Sequence, residues 1–161
     1  MLANGQVFPA LNVAAVASDI IRLPNALSRG FGVVVIYRGD WCPFCNEQLA
    51  SLQAASAQLA ELGVNIVAFS VDDEATTAAL AKKLGLTFTL GHSADPKAVV
   101  ALTGAFVGDH AGHAILQPTA FLLSPDGKIM MESFASGPIG RFTGSDLARV
   151  VGHIKSMMAK A

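Results

Sequence analysis

The sequence predicts an α/β fold, with a mixed central sheet that carries helices on both faces. Three observations lead there. Apolar runs suited to buried strands recur at Gly32–Tyr37 and Asn65–Val71, and again at Thr119–Leu123. Stretches with apolar residues at helical spacing separate them, and glycines close two of these stretches. The last two strands are joined by Ser124-Pro125-Asp126-Gly127, a strong turn sequence, and a final amphipathic helix follows. The order β-α-β-α-β-α, hairpin, helix suits a sheet covered on both sides.

Residues 1–31 read as an N-terminal extension with two short strands, Leu11–Val16 and Asp19–Leu23, bounded by Pro9 and Pro24. Gly32–Tyr37 is the first central strand. The first long helix covers Asn46–Leu62, with Leu49, Leu52, Leu59 and Leu62 at helical spacing and Gly63 as its C-cap. Asn65–Val71 is the second central strand. Asp72, Asp73 and Glu74 place negative charge at the start of a helix that runs to Leu84 and closes at Gly85. Thr87–Leu90 is a short strand. Asp95-Pro96 opens a short helix with a capping carboxylate and a proline at its first position. Thr119–Leu123 and Lys128–Ser133 form the hairpin. In the last helix, Leu147, Val150, Val151, Ile154, Met157 and Met158 make one apolar stripe, expected to pack in the core.

Composition narrows the function. A chain of 161 residues indicates one domain, 1–161, long enough to build a core without disulfide staples. Its 52% hydrophobic and 14% charged content argues against disorder. A net charge of −1 gives no electrostatic support for nucleic-acid or anionic-membrane binding. No apolar run reaches ~18 residues, so no membrane span is expected. The N-terminus lacks the charge-then-apolar pattern of a signal peptide, and the cytoplasm is the expected location.

The chemistry concentrates in Tyr37-Arg38-Gly39-Asp40-Trp41-Cys42-Pro43-Phe44-Cys45, which holds the only two cysteines. A disulfide across so short a loop would constrain little chain entropy, so the pair reads as redox chemistry or metal binding, not as a staple. It falls at the carboxyl end of the first central strand, where sites collect in such sheets. Pro43 fits a first helical turn. A helix start aims its amide N–H groups and positive dipole end at the sulfurs, which lowers a thiol pKa. Arg38 would reinforce that effect and Asp40 would oppose it. Trp41 is expected to cover one side of the sulfurs. A metal reading, with Cys42 and Cys45 joined by His110 and His113, is disfavoured because the His-x-x-His spacing is short and the halves lie far apart. No metal and no cofactor is expected.

The segment Val33-Val34-Val35-Ile36-Tyr37-Arg38-Gly39-Asp40-Trp41-Cys42-Pro43-Phe44-Cys45 resembles the thioredoxin superfamily. With Ile66–Asp72 and Gln117–Ile129 in the same order, the chain looks like the peroxiredoxin-like branch of the AhpC/TSA family, the alkyl hydroperoxide reductase/thiol-specific antioxidant proteins. The resemblance covers about residues 30 to 135. It implies a thioredoxin-like fold and a thiol-dependent oxidoreductase with an antioxidant role. Such an enzyme would reduce peroxides or disulfides through a reversible Cys42–Cys45 disulfide. An external dithiol reductant such as thioredoxin or glutathione would reset it, and a homodimer is compatible with such folds. The alternative is a non-enzymatic redox-sensing or binding module.

The resemblance also implies residue roles. Gln117-Pro118 would be a cis bond facing the cysteines, with the Gln117 backbone positioned to pair with a bound disulfide. Thioredoxin-like reductases attack with the first cysteine, here Cys42. Peroxiredoxins place the peroxide-reacting cysteine at the Cys45 position, with a Thr where Cys42 stands and often a Glu where Gln48 stands. The Thr is absent here. Arg141 and Arg38 are both available as the catalytic arginine, and neither is matched by motif. The buried Asp of thioredoxin is replaced by Ile36, which leaves His110, His113, Asp40 and Glu47 as candidate bases.

Overall fold

The computed structural model describes residues 1–161. At its centre is β3 (Phe31–Ile36), every residue of which is buried. It pairs in parallel with β4 (Val64–Phe69) and antiparallel with β8 (Thr119–Leu123), so neither edge is free. A run of β-branched residues suits this position because both faces of the strand meet apolar side chains. The sheet continues through β5 (Thr89–His92), parallel to β4, to the N-terminal hairpin β1 (Leu11–Ala15) and β2 (Ile20–Leu23). On the other side β8 pairs with β9 (Ile129–Phe134). The strand order is β2-β1-β5-β4-β3-β8-β9. The N-terminal extension is thus part of the sheet.

Strand alternation divides the core into two layers. Val33, Val35, Ile66, Ala68, Ala120 and Leu122 face one layer, which also holds side chains of α1 (Pro43–Ala54), α2 (Ser56–Glu61), α3 (Glu74–Leu84) and α5 (Gly144–Ala159). Val34, Ile36, Val67, Phe69, Phe121 and Leu123 face the other, closed by Phe8, Leu27 and Val99 of α4 (Pro96–Thr103). Both cysteines belong to the first layer.

The helix expected over residues 46–62 is two helices. α1 begins earlier, at Pro43, and the path changes at Ala55, whose amide reaches both Ser51 and Gln53 carbonyls. That is where α5 starts: the Gly144 amide donates to Ser51 Oγ at 3.1 Å. The Met157 and Met158 end of the apolar stripe is also corrected. Leu147 and Val151 are fully buried, but the two methionines are 56% and 63% exposed, because the last turns extend past the layer the helix packs on. A two-stranded hairpin, β6 (Val107–His110) and β7 (His113–Leu116), appears where no strand is expected from the sequence. Its strands are four residues long and mostly exposed, which leaves little apolar alternation to read. Its turn, Ala111-Gly112, has both residues at positive φ, the conformation a tight hairpin requires.

The α1–α5 contact that backs the site tolerates no added atom. A Cβ on Gly144 would collide with the Ser51 carbonyl and lie 2.8 Å from the Ala55 Cβ. Gly144→Ala should therefore push the two helices apart and destabilise the fold by about 1–3 kcal/mol, read as a lower urea midpoint at unchanged slope.

Candidate active site

The two sulfurs sit on the first turn of α1. Pro43 occupies the first helical position, where it forfeits no hydrogen bond. Cys42 is the N-cap, with extended backbone, and its Sγ accepts the Cys45 amide N–H at 3.4 Å. A sulfur therefore fills the capping role usually taken by an Asp or Ser oxygen. A thiolate does this better than a thiol, because it adds a full negative charge at the positive end of the helix. The Cys45 Sγ accepts the Arg38 amide N–H at 3.4 Å. Both side chains are fully buried and are free thiols.

Surrounding groups separate the two thiols. Burial works against ionisation of Cys42, but the Cys45 thiol and amide, the Arg38 guanidinium and the charge of Arg141 outweigh it and hold its pKa below the ordinary thiol value. Arg38 Nη1 lies 3.9 Å from the Cys42 Sγ. Cys45 moves the other way: burial and the proton shared with Cys42 raise its pKa, against the opposing pull of Arg141 and the Arg38 amide. The surroundings thus displace the two thiol pKa values in opposite directions, Cys42 downward and Cys45 upward.

Arg141 comes from the loop before α5, far away in sequence. Its Nη1 donates to Gln48 Oε1 at 3.3 Å and its Nη2 to the Pro138 carbonyl at 2.6 Å, while Gln48 Nε2 donates to the Phe142 carbonyl at 3.0 Å. Gln48, buried on α1, thereby ties this loop to the cysteine helix. The buried Nε atoms of Arg38 and Arg141 have no partner, so each guanidinium retains an N–H to offer. Beside them, Phe44, Glu47, Gln48, Ile139, Gly140, Arg141 and Thr143 line a groove of ≈ 300 Å³.

Trp41 is half-buried and packs on the layer that holds the cysteines. The Arg38 guanidinium lies 4.7 Å from the centre of its ring. His110, at the end of β6, stacks flat on the same ring, with centroids 3.5 Å apart and planes 4° from parallel. The candidate bases His110, His113 and Glu47 are all exposed, and His110 meets the site through Trp41. The Asp40 amide donates to Asp72 Oδ2 at 2.8 Å. No three His, Cys, Asp or Glu side chains group closely enough to hold a metal ion.

The expected cis bond at Gln117-Pro118 is corrected: the one cis peptide is Leu23-Pro24. The chain runs extended from β7 into β8, with the Gln117 amide donating to the Phe106 carbonyl at 2.8 Å and the Pro118 carbonyl accepting from Ala135 at 2.9 Å. The Gln117 carbonyl accepts the Thr119 hydroxyl at 3.2 Å, so it is already engaged. The Gln117 side chain is buried beneath Gly108 of the hairpin.

Sequence reasoning missed Asp72 as a site residue and left Arg141 unplaced. Asp72 was read only as negative charge before a helix. A carboxylate just beyond a central strand is the signal that would have identified it, since strand ends converge on the site.

The fold defines the class as thioredoxin-like, and it is shared with solved peroxiredoxins. Peroxiredoxin 6 of Arenicola marina superposes with a TM-score of 0.80 at 17% identity, over 96% of this chain and 74% of that one. Peroxidoxin BcpB of Mycobacterium tuberculosis gives 0.79 at 20% identity, over 94% and 96%. AhpC of Enterococcus faecalis gives 0.78 at 20% identity, over 99% and 96%. No curated protein sequence matches significantly. The AhpC/TSA family model matches residues 4–131, and the chain belongs to the AhpC/TSA family. It is a thiol-dependent oxidoreductase with an antioxidant role.

Two consequences are measurable. Alkylation of Cys42 should slow as pH falls through its lowered pKa, and in Arg38→Met that decline should move to higher pH, because the partner that favours the thiolate is gone. Arg141→Met should raise the titration of both cysteines, followed by ultraviolet thiolate absorbance with each cysteine substituted in turn.

Proposed function

We propose that the protein reduces peroxides with Cys42 as the attacking thiolate and Cys45 as the resolving thiol. The observation that carries this is the opposite displacement of the two thiol pKa values on one helix turn. The Cys42 thiolate attacks the distal oxygen of the peroxide and the O–O bond breaks. The departing alkoxide takes a proton, and Cys42 is oxidised to the sulfenic acid. Cys45, which has kept its proton until then, attacks that sulfur. The Cys42–Cys45 disulfide forms and the sulfenic oxygen leaves as water. An external thiol reductant, one dithiol of the thioredoxin type or two monothiol molecules of the glutathione type, returns both sulfurs to the dithiol state by exchange and is itself oxidised to a disulfide. A mixed disulfide entering at Cys42 follows the same second step, so small disulfides are alternative substrates.

Both sulfurs are covered in the dithiol form, so the Trp41 and Arg141 sides must yield to admit a peroxide. The two free guanidinium N–H groups are the donors placed to meet its oxygens. This reading takes the whole chain as one domain acting in the cytoplasm, where thiols are kept reduced. The unpaired outer edge of β2 favours a homodimer, whereas the start of β9 is covered by the N-terminal segment, with Gly5 donating to the Ile129 carbonyl at 2.8 Å and the Gln6 carbonyl accepting the Ile129 amide at 2.9 Å.

A second reading exchanges the sulfurs. The Arg38 amide and Arg141 both favour a Cys45 thiolate, which suits Cys45 as the peroxide-reacting sulfur. Single-turnover reaction with hydrogen peroxide separates the two. Under the first reading Cys45→Ser accumulates a sulfenic acid at Cys42, trapped by dimedone, and Cys42→Ser does not react. Sulfenic acid at Cys45 in Cys42→Ser, with an unreactive Cys45→Ser, would establish the second reading instead. If neither cysteine oxidises, the peroxidase reading is lost.

A further inference from the structure

The segment that carries Arg38 and Trp41 to the cysteines is not part of any helix or strand. Its hydrogen bonds are nearly all local. The Arg38 amide donates to Cys45, the Cys42 amide to the Gly39 carbonyl at 3.2 Å, and Asn46 Nδ2 to the Asp40 carbonyl at 2.9 Å. Such bonds hold the turn together but do not fix it against the sheet. One side chain from elsewhere does: Asp72, three residues past the end of β4 and 32 positions away from Asp40, accepts the Asp40 amide through Oδ2 at 2.8 Å.

The other oxygen of Asp72 faces the same turn. A Cβ built on Gly39 would lie 3.1 Å from Asp72 Oδ1 and would collide with the Trp41 indole nitrogen. Glycine at 39 is what lets the carboxylate and the indole approach one backbone atom. Asp72 is itself held on both sides of its own peptide. Its amide donates to Ser70 Oγ at 3.1 Å and its carbonyl accepts the Ser93 amide at 2.6 Å. The tether is therefore a rigid one, anchored in β4 and the end of β5.

We propose that Asp72 is a positioning residue for the redox pair, whose carboxylate holds the Gly39–Trp41 turn so that Arg38 lies against Cys42. The proposal adds a residue to the mechanism above and rests on Cys42 being the thiolate. The chain of contacts is short: Asp72 to the Asp40 amide, through the turn to Arg38, and from Arg38 to the Cys42 sulfur. Arg38 spans two targets, the Trp41 ring at 4.7 Å and the Cys42 sulfur at 3.9 Å, so a displaced turn moves it from both.

The tether is also proton-sensitive. Burial raises the Asp72 carboxyl, the Asp40 amide and Ser70 hydroxyl oppose this, and the carboxylates of Asp40 and Asp73 add to it. The other titratable groups around it are the Tyr37 phenol, which burial pushes up to about 12 so that it stays neutral, and His92, which faces Glu74 and Asp73. As pH falls through the raised Asp72 value, the carboxylate becomes a neutral acid and a weaker acceptor. The turn then loosens from the acid side, and the thiolate partner on Cys42 weakens with it.

Trp41 is the only tryptophan, so its emission reports on this turn alone. Three forms are compared: the unsubstituted protein, Asp72→Asn, which keeps an oxygen for the Asp40 amide but cannot titrate, and Asp72→Ala, which loses the acceptor. Each is followed by Trp41 emission and by alkylation of Cys42 across pH in a Cys45→Ser background, neither of which needs peroxidase turnover. The unsubstituted protein should show an acid transition in Trp41 emission that is absent from Asp72→Asn. Asp72→Ala should shift the emission at every pH and raise the Cys42 titration. At a pH below the Cys42 pKa, each unit of rise slows alkylation roughly tenfold. An acid transition that persists in Asp72→Asn has an origin other than Asp72 and overturns the proton-sensitive tether. A Cys42 titration unchanged in a folded Asp72→Ala overturns the positioning role. Both results are independent of which sulfur attacks peroxide.

Discussion

The capping of α1 by a sulfur is the interaction on which the rest of the site depends. A helix that starts with Pro43 needs an acceptor for the N–H groups of its first turn, and the Cys42 side chain supplies it to Cys45. That bond makes ionisation of Cys42 part of the helix's own stability. It also fixes Cys45 one turn along, so the two sulfurs stand side by side on the same helical turn. Three-residue spacing on a first turn gives the two sulfurs unequal electrostatics with no difference in side-chain type.

Around this turn the fold assembles charge from three separate parts of the chain. Arg38 precedes the helix, Arg141 precedes α5, and Asp72 follows β4 by three residues. Each acts through a different contact: a guanidinium on the Cys42 sulfur, a charge felt by both sulfurs, and a carboxylate that holds the turn. Gln48 ties one of them to the cysteine helix, accepting from Arg141 through Oε1. Where the peroxiredoxin pattern has a Glu, a neutral amide can accept from the arginine with one end and donate to the Phe142 carbonyl with the other. A carboxylate could do only the first.

Much of the fold was legible because its strands are strongly apolar and its helices are punctuated. Asp73 caps α3 and Asp95 caps α4, Gly85 closes α3 in the left-handed conformation, and the boundaries predicted from those residues lie close to the observed ones. What the sequence did not show has one common cause, which is that pattern reading is local. The β6–β7 hairpin is too short and too exposed to produce a period. Gln117-Pro118 looked like a cis-proline by motif, but the carbonyl of Phe106 and the amide of Ala135, from other elements, draw it into an extended trans path. The methionine stripe of α5 is periodic to its end, while burial stops where its packing partners stop.

By itself the sequence located the cysteine pair at a strand-to-helix junction, because Pro43, the cysteine spacing and the apolar strand before them are neighbours in the chain. It also carried the family, through motifs spread over about residues 30 to 135, and the family model matches residues 4–131. Only the tertiary structure decided which charges and hydrogen-bond donors surround each thiol. A thiol pKa is set by burial and by charges within a few ångströms, and Arg141 and Asp72 reach that distance only when α5 and β4 pack against the cysteine helix and the turn before it.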